Sequence, residues 1–431
     1  MQYILPFVFC LSFFMGNAQK KSLPILPGAF QTEKYLPLLK GKKVAVFANH
    51  TATINNTHIV DSLQKLGVNI VVAFGPEHGF RGNADAGEKV ESYIDSATKI
   101  NVVSLYGKKR KPSAQDMQNV DVLLFDIQDV GVRFYTFISS LQEFIETAIE
   151  YNKPLIIFDR PNPNGFYVDG PVLDTAYKSF VGMQPVPVVY GMTIGEYAKM
   201  LVGERWLAAK YNKEIDGKLS LGEVLGFENE RKDFSLTIIP CKNYTHKSLY
   251  NLPIKPSPNL PNMATIYWYA STCYFEGTVF SEGRGTDDPF CVFGHPSLKP
   301  YNDTVVALYK FTPTSRYGAK EPKLKNKECF GWNVYDKNYN NILKHLNNKI
   351  DIEPLVHAYR LFNIYGDGKF FLEPKSGKAT DYFFNKLVGN NSLKLQLETG
   401  LNAAQISKSW QPAIAKFKKI RKKYLLYKDF E

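Results

Sequence analysis

Carboxylates set beside glycine are the residues of this sequence whose types and spacing best suit chemistry. Glu77 stands in Pro76-Glu77-His78-Gly79, directly after an apolar run, with an imidazole at its side and a glycine that admits a ligand close to the backbone. Glu276 and Glu282 share a second glycine-rich stretch, Phe275-Glu276-Gly277-Thr278 and Ser281-Glu282-Gly283-Arg284-Gly285-Thr286. A carboxyl kept protonated near a second, ionised carboxylate performs general acid–base chemistry, and burial or a like charge supplies the raised pKa. His78 is placed to orient such an acid or tune it. Each acid also has a structural alternative. Glu77 can cap the following turn, and Glu276 and Glu282 can form a salt-bridge network with Arg284, so only one of those two is expected to be catalytic. Asn49, Asp126, Asp129, Arg133, Asp159, Arg160, Asn164 and Asn259 are candidate ligand contacts. For the Asp and Arg members an Asx turn, an Asp–Arg pair or a rigid proline turn stands beside binding. His50, His58 and His78 match no standard ligand spacing, and no metal is expected.

These residues need elements to carry them. Lys43–Ala48, Val68–Phe74, Val102–Leu105, Val120–Phe125 and Pro154–Phe158 read as buried strands. Ile59–Leu66 and Leu141–Ile149 read as helices between them, so a parallel sheet covered on both faces is expected. Ligands of such sheets bind beyond the carboxyl ends of the strands. Those are the positions of Asn49-His50-Thr51, Gly75-Pro76-Glu77-His78-Gly79, the segment Asp126 to Arg133, and Asp159 to Gly165. No GxGxxG follows the first strand and no GxxxxGK[ST] occurs, so a Rossmann-like layout without a dinucleotide fingerprint, and no cofactor, is expected. Thr193 with Glu196 reads as a capping box opening a helix over 194–201. The proline-rich run Lys255 to Asn262 marks a boundary to a smaller C-terminal α/β domain.

At 431 residues the chain is too long for a single compact core. The expected division is a signal peptide over 1–18, a Rossmann-like domain over 19–260 and a C-terminal domain over 261–431. Tyr3 to Met15 is apolar and uncharged, and Gly16-Asn17-Ala18 offers small residues for cleavage, so export to the periplasm or the exterior is expected, without stable membrane insertion afterwards. Cys241, Cys273, Cys291 and Cys329 then remain, widely spaced and without a CxxC pair, and read as buried or singly paired thiols. The net charge of +12 favours anionic partners. Much of it lies in Lys416, Lys418, Lys419, Arg421, Lys422 and Lys423, interleaved with Phe417 and Ile420. That pattern reads as the solvated face of a terminal helix rather than a nucleic-acid site.

Six motifs in order, PEHGFRG (76–82), DIQDVGVRFYTF (126–137), DRPNPNG (159–165), YGMTIGE (190–196), PSPNLP (256–261) and FEGTVFSEGRGTDDPF (275–290), closely resemble the NamZ family of exo-lytic β-N-acetylmuramidases. The segment departs from the family pattern at Val279, where a polar residue is expected. The resemblance implies a glycosidase with its active site in the cleft between a Rossmann-like domain and a smaller α/β domain. It would release terminal β-linked N-acetylmuramic acid from the non-reducing end of peptidoglycan-derived muropeptides or MurNAc-GlcNAc fragments. Glycoside cleavage calls for two carboxyls about the bond. The lactyl carboxylate of the substrate calls for a cation of fixed geometry, with Arg133 and Arg284 ahead of Arg81 and Arg160. Tyr135 and Trp268 are candidates to stack on a sugar. A non-catalytic cell-wall glycan-binding protein, or another exported hydrolase of amino sugars, remain alternatives; a serine esterase is disfavoured because no GxSxG elbow occurs.

Overall fold

The computed structural model describes residues 23–77, 79–82, 91–216 and 234–431. Seven strands form the central sheet: β1 Lys43–Ala48, β2 Asn69–Gly75, β3 Tyr93–Ile94, β4 Asn101–Ser104, β5 Val122–Asp126, β6 Leu155–Phe158 and β7 Leu236–Ile239. Their order is β3-β4-β2-β1-β5-β6-β7, and every pairing is parallel except that of the edge strand β3 with β4. Two-residue alternation explains why β1 is apolar from Val44 to Ala48. Ala45 and Phe47 enter one hydrophobic core while Val44, Val46 and Ala48 enter the other. On one face Phe47 stacks on Phe125 at 5.0 Å and meets Phe144 of the helix Phe137–Glu150. On the other, Val60 and Leu63 of the helix Ile59–Lys65 pack with Tyr35.

The five strands read from the sequence are present, with ends moved by a residue or two. β3 and β7 are additional. The helix expected over Leu141–Ile149 starts earlier, at Phe137, because Thr136 adopts φ 74° and its carbonyl accepts from the amides of Ser139 and Ser140 at 3.0 Å. Thr193 and Glu196 form the reciprocal capping box at the start of the helix Ile194–Gly203.

The helix Met263–Thr272 joins the two halves. All of its residues are buried, and the larger core runs through it without interruption into the C-terminal region. There β8 Val292–His295, β9 Tyr309–Phe311 and β10 Cys329–Asn333 form an antiparallel sheet in the order β8-β10-β9, flanked by helices. The four described cysteines are buried free thiols.

The tail helix Gln411–Arg421 buries Ile414 and Phe417, as its spacing requires. Arg421 departs from the solvated face expected of it. It is fully buried, donates from Nε to the Gly191 carbonyl at 2.8 Å, and binds both carboxylate oxygens of Asp429 at 2.8 Å. The chain end thus returns to the first domain, where Tyr427 donates to Asp159 and the Leu426 amide to Glu196. No helix among the described residues is long and apolar enough to cross a membrane.

Candidate active site

Four of the candidate loops leave the carboxyl ends of β1, β2, β5 and β6, and direct contacts knit them to the C-terminal region. His50 Nε2 lies 2.9 Å from the Lys255 carbonyl, and Tyr135 donates to the Pro256 carbonyl at 2.7 Å. Tyr317 reaches the Gly82 carbonyl at 2.5 Å, and Asn259 Nδ2 the Gly318 carbonyl at 2.7 Å. Gly82, the last residue of the motif, is thus held from the C-terminal domain.

Glu77 is half-buried at the end of β2 and accepts from the Tyr106 hydroxyl at 3.0 Å. Tyr106 follows β4 and lies within the field of both Glu77 and Arg284. Burial, followed by Glu77, pushes its phenol well above the ordinary range, while Arg110 and then Arg284 oppose the shift. His78 lies outside the described residues.

Around Arg284 the second glycine-rich stretch is tightly folded. Glu276, on the 3-10 turn that continues the helix Met263–Thr272, accepts from Arg284 at 2.5 Å, and Glu282 lies 3.5 Å from Arg284 Nε. Gly283 between them has φ +82°, and a Cβ there would lie 2.3 Å from the Val292 carbonyl oxygen, so only glycine allows this turn. Glu276 and Arg284 keep side-chain exposures of 18% and 24%, whereas Glu282 keeps 5%. Glu276 is the carboxylate of the pair that a ligand can reach. Burial pushes the Glu282 carboxyl upward, but Lys323, 3.0 Å away, and Arg284 outweigh it and hold it below the usual range. The Lys323 ammonium also donates to the carbonyls of Phe275, Thr278 and Phe280 at 2.7, 2.9 and 2.7 Å. It fixes the whole segment from inside. Val279 packs against the core there, in place of the polar side chain expected.

Most of the other candidates hold the loops rather than a ligand. Arg133 is fully buried. One terminal nitrogen donates to the carbonyls of Pro171 and Val186 at 3.0 and 2.7 Å, the other to those of Leu387 and Val388 at 2.8 and 2.7 Å. Its charge ties the two domains together, which corrects its expected role toward a substrate carboxylate. Arg160 and Asp126 form a buried bidentate pair at 2.5 and 2.9 Å, the Asp–Arg alternative, so neither presents its charge to a ligand. Arg81 binds Asp61 and Asp95. Asp159 accepts from Thr193 Oγ1 at 2.7 Å, the Gly195 amide at 2.8 Å, the Arg160 amide and Tyr427, which likewise corrects its reading as a ligand contact. Burial, only partly offset by these donors, moves its carboxyl up to about 6. Asp129 makes the Asx turn, accepting from the Gly131 amide at 2.7 Å and from Tyr190; burial moves it to about 6 as well. Gly131, at φ +76°, lies against Asn162 so closely that a Cβ would fall 2.1 Å from Asn162 Oδ1. Asn164 Nδ2 donates to the Val130 carbonyl at 2.9 Å.

Asn49 is fully buried at the end of β1. Its Oδ1 accepts from Thr51, and its Nδ2 finds no acceptor among the described residues. His58 caps the helix Ile59–Lys65, its Nδ1 accepting from the Val60 amide and its Nε2 donating to the Asn49 carbonyl at 3.0 Å; burial and Arg81 move it down to about 4, so it is neutral. Tyr135 and Trp268 are core aromatics, 8% and 3% exposed.

Tyr106 and Lys323 escaped the sequence reading. Tyr106 stands just past the end of the third strand read there, the one strand whose end was not searched, and the same strand-end logic finds it. Lys323 lies in a stretch without motif or periodicity, and no local signal marks it.

Residues 44–264 match the family model described as exo-β-N-acetylmuramidase NamZ, N-terminal, and residues 267–427 match its C-terminal counterpart. The chain is 35% identical over 409 residues to the peptidoglycan β-N-acetylmuramidase NamZ of Bacillus subtilis (strain 168), covering 91% of this chain and 89% of that protein. Two crystal structures of DUF1343 family proteins from Bacteroides fragilis NCTC 9343 are similar. One has a TM-score of 0.78 at 43% identity, over 94% of this chain and all of that one; the other has a TM-score of 0.72 at 26% identity, over 94% and 99%. The glycosidase motifs, the two-domain α/β architecture and these matches agree, and the chain belongs to the NamZ family of exo-β-N-acetylmuramidases.

Proposed function

We propose that this protein is an exported exo-β-N-acetylmuramidase that removes terminal β-linked N-acetylmuramic acid from the non-reducing end of peptidoglycan fragments. The observation that carries the reading is a half-buried acid on each side of the domain boundary, Glu77 held by Tyr106 and Glu276 held by Arg284, within motifs of the NamZ family. Glu77 donates the proton to the leaving glycosidic oxygen, held in place by Tyr106. Glu276 faces the positive charge that builds at the anomeric carbon as that bond breaks; water adds there and its proton restores the Glu77 carboxyl. Of the four arginines weighed for the lactyl carboxylate, Arg81, Arg133 and Arg160 are committed to protein partners on two or more atoms. Arg284 is paired as well, with Glu276 and Glu282 of its own segment, but it stays 24% exposed beside the reachable Glu276 carboxylate, and it takes that role. The apolar run over Tyr3–Met15 supports export, so the substrate is met in the periplasm or outside the cell.

The test is release of chromophore from a β-N-acetylmuramide, with the matching N-acetylglucosaminide as control. Release from the muramide alone supports the reading. Equal release from both removes lactyl recognition by Arg284, and no release from either by folded protein removes the hydrolase.

A further inference from the structure

A cavity of about 400 Å³ opens on the C-terminal domain, lined by residues between Trp268 and His357. Its floor is aromatic. Trp332 on β10 is the cross-strand partner of Phe293 on β8, and their rings stack at 5.5 Å with 25° between planes. Trp268, nearly buried, lies beneath them, tilted on His345 at 5.4 Å. Acceptors surround this floor. Asp336 is fixed by the Asn338 amide and Asn341 Nδ2 at 2.7 and 2.8 Å, and Asp351 by His345 at 2.9 Å and the Glu353 amide at 2.9 Å. The Asp351 amide in turn donates to Ser271 Oγ at 3.0 Å. Asp336, Asp351 and Glu353 make this wall acidic in a chain of net charge +12.

We propose that this cavity is an accessory subsite for a neutral N-acetylated hexosamine unit of the glycan whose terminal sugar the cleft removes; the assignment rests on the glycan reading above. An indole face offers an apolar platform to the C–H face of a pyranose ring, and fixed carboxylates accept its hydroxyl and acetamido hydrogens. Three carboxylates about the platform repel a sugar that carries a lactyl carboxylate, so the subsite prefers the uncharged unit and discriminates opposite to the cleft. Both sites are built on one rigid element. The helix Met263–Thr272 supports the cavity from beneath through Trp268 and runs directly into the turn that bears Glu276.

Calorimetric titration of the full-length protein with N,N′-diacetylchitobiose tests this. Saturable binding is expected, weakened about tenfold or more in Trp332→Ala and largely restored in Trp332→Phe. Turnover of a chromogenic β-N-acetylmuramide, which occupies the cleft alone, stays unchanged in both variants, while turnover of long peptidoglycan strands slows in Trp332→Ala. Absence of binding, or equal affinity in wild type and a folded Trp332→Ala, overturns the subsite. So does Trp332-dependent binding of N-acetylmuramic acid as tight as that of the neutral sugar. Trp332-dependent chitobiose binding without any muramide hydrolysis supports the subsite and overturns the activity instead, so the two failures are distinct.

Discussion

Replacing Lys323 by Met removes a cation that touches both the backbone and the acid of the segment 275–284. Three carbonyls lose donors at 2.7 to 2.9 Å, and Glu282 keeps Arg284 at 3.5 Å. Taking one partner from a buried ion pair costs about 3–5 kcal/mol. Lys323 is 25% exposed, so water partly replaces what is lost and about 3 kcal/mol is the working figure. The pH dependence carries the sign. In the wild type the paired carboxyl of Glu282 lies below its ordinary value, so its contribution is present above that value and is lost as the pH falls through the lowered one. Without Lys323, burial dominates and the carboxyl takes up a proton at a higher pH. The loss of stability should therefore be largest near neutrality and shrink on acidification. Urea denaturation of both proteins at neutral and mildly acidic pH reads this directly, and Lys323→Arg should recover part of the loss. The displaced segment should also lower kcat/KM on the muramide by about 10²-fold, the scale of a misplacement near 1 Å. Equal denaturation midpoints at neutral pH, or a loss that does not change with pH, would refute the reasoning.

Arg133→Lys should lower the urea midpoint by about 2 kcal/mol or more, since one ammonium cannot serve four carbonyls from two domains, while KM of the folded enzyme stays unchanged. Arg284→Gln should raise KM for the muramide, measured by steady-state kinetics, if that guanidinium reads the lactyl group. Tyr106→Phe should lower kcat about tenfold with stability within about 1 kcal/mol, because the half-buried hydroxyl serves Glu77 and little else. Asp159, raised to about 6 from 3.8, adds stability at low pH that is lost as the pH rises through about 6. The shift corresponds to about 3 kcal/mol. The difference in denaturation free energy between wild type and Asp159→Asn, followed from pH 4 to 7, should change in that direction, and a flat difference contradicts the assignment.

The sheet was legible because parallel strands buried on both faces are unbroken apolar runs, and β1, β2 and β5 are such runs. The edge strand β3 was not, since Tyr93 and Ile94 are exposed and only two residues long. The loops at the strand ends were legible as a site, but composition did not separate the residues that face a ligand from those that hold the loops. Arg133 and Arg284 look alike in sequence. Their difference lies in Leu387 and Val388, contacts far along the chain that close Arg133 in. Arg421 misled for the same reason: its helix spacing places it beside lysines, and only the returning Asp429 makes it a buried ion. Lys323 had no local pattern at all, because its partners are carbonyls and carbonyls leave no mark in sequence.

The most direct measurement follows the reaction products themselves. A defined glycan with N-acetylmuramic acid at its non-reducing end is incubated with wild type and with Glu77→Gln, and the released sugars are identified by mass spectrometry. The account predicts free N-acetylmuramic acid and a chain shorter by that one unit from the wild type, and a rate about 10²–10⁴-fold lower from Glu77→Gln, with the substrate still bound. Internal cleavage products, or full activity in the folded Glu77→Gln protein, would contradict it.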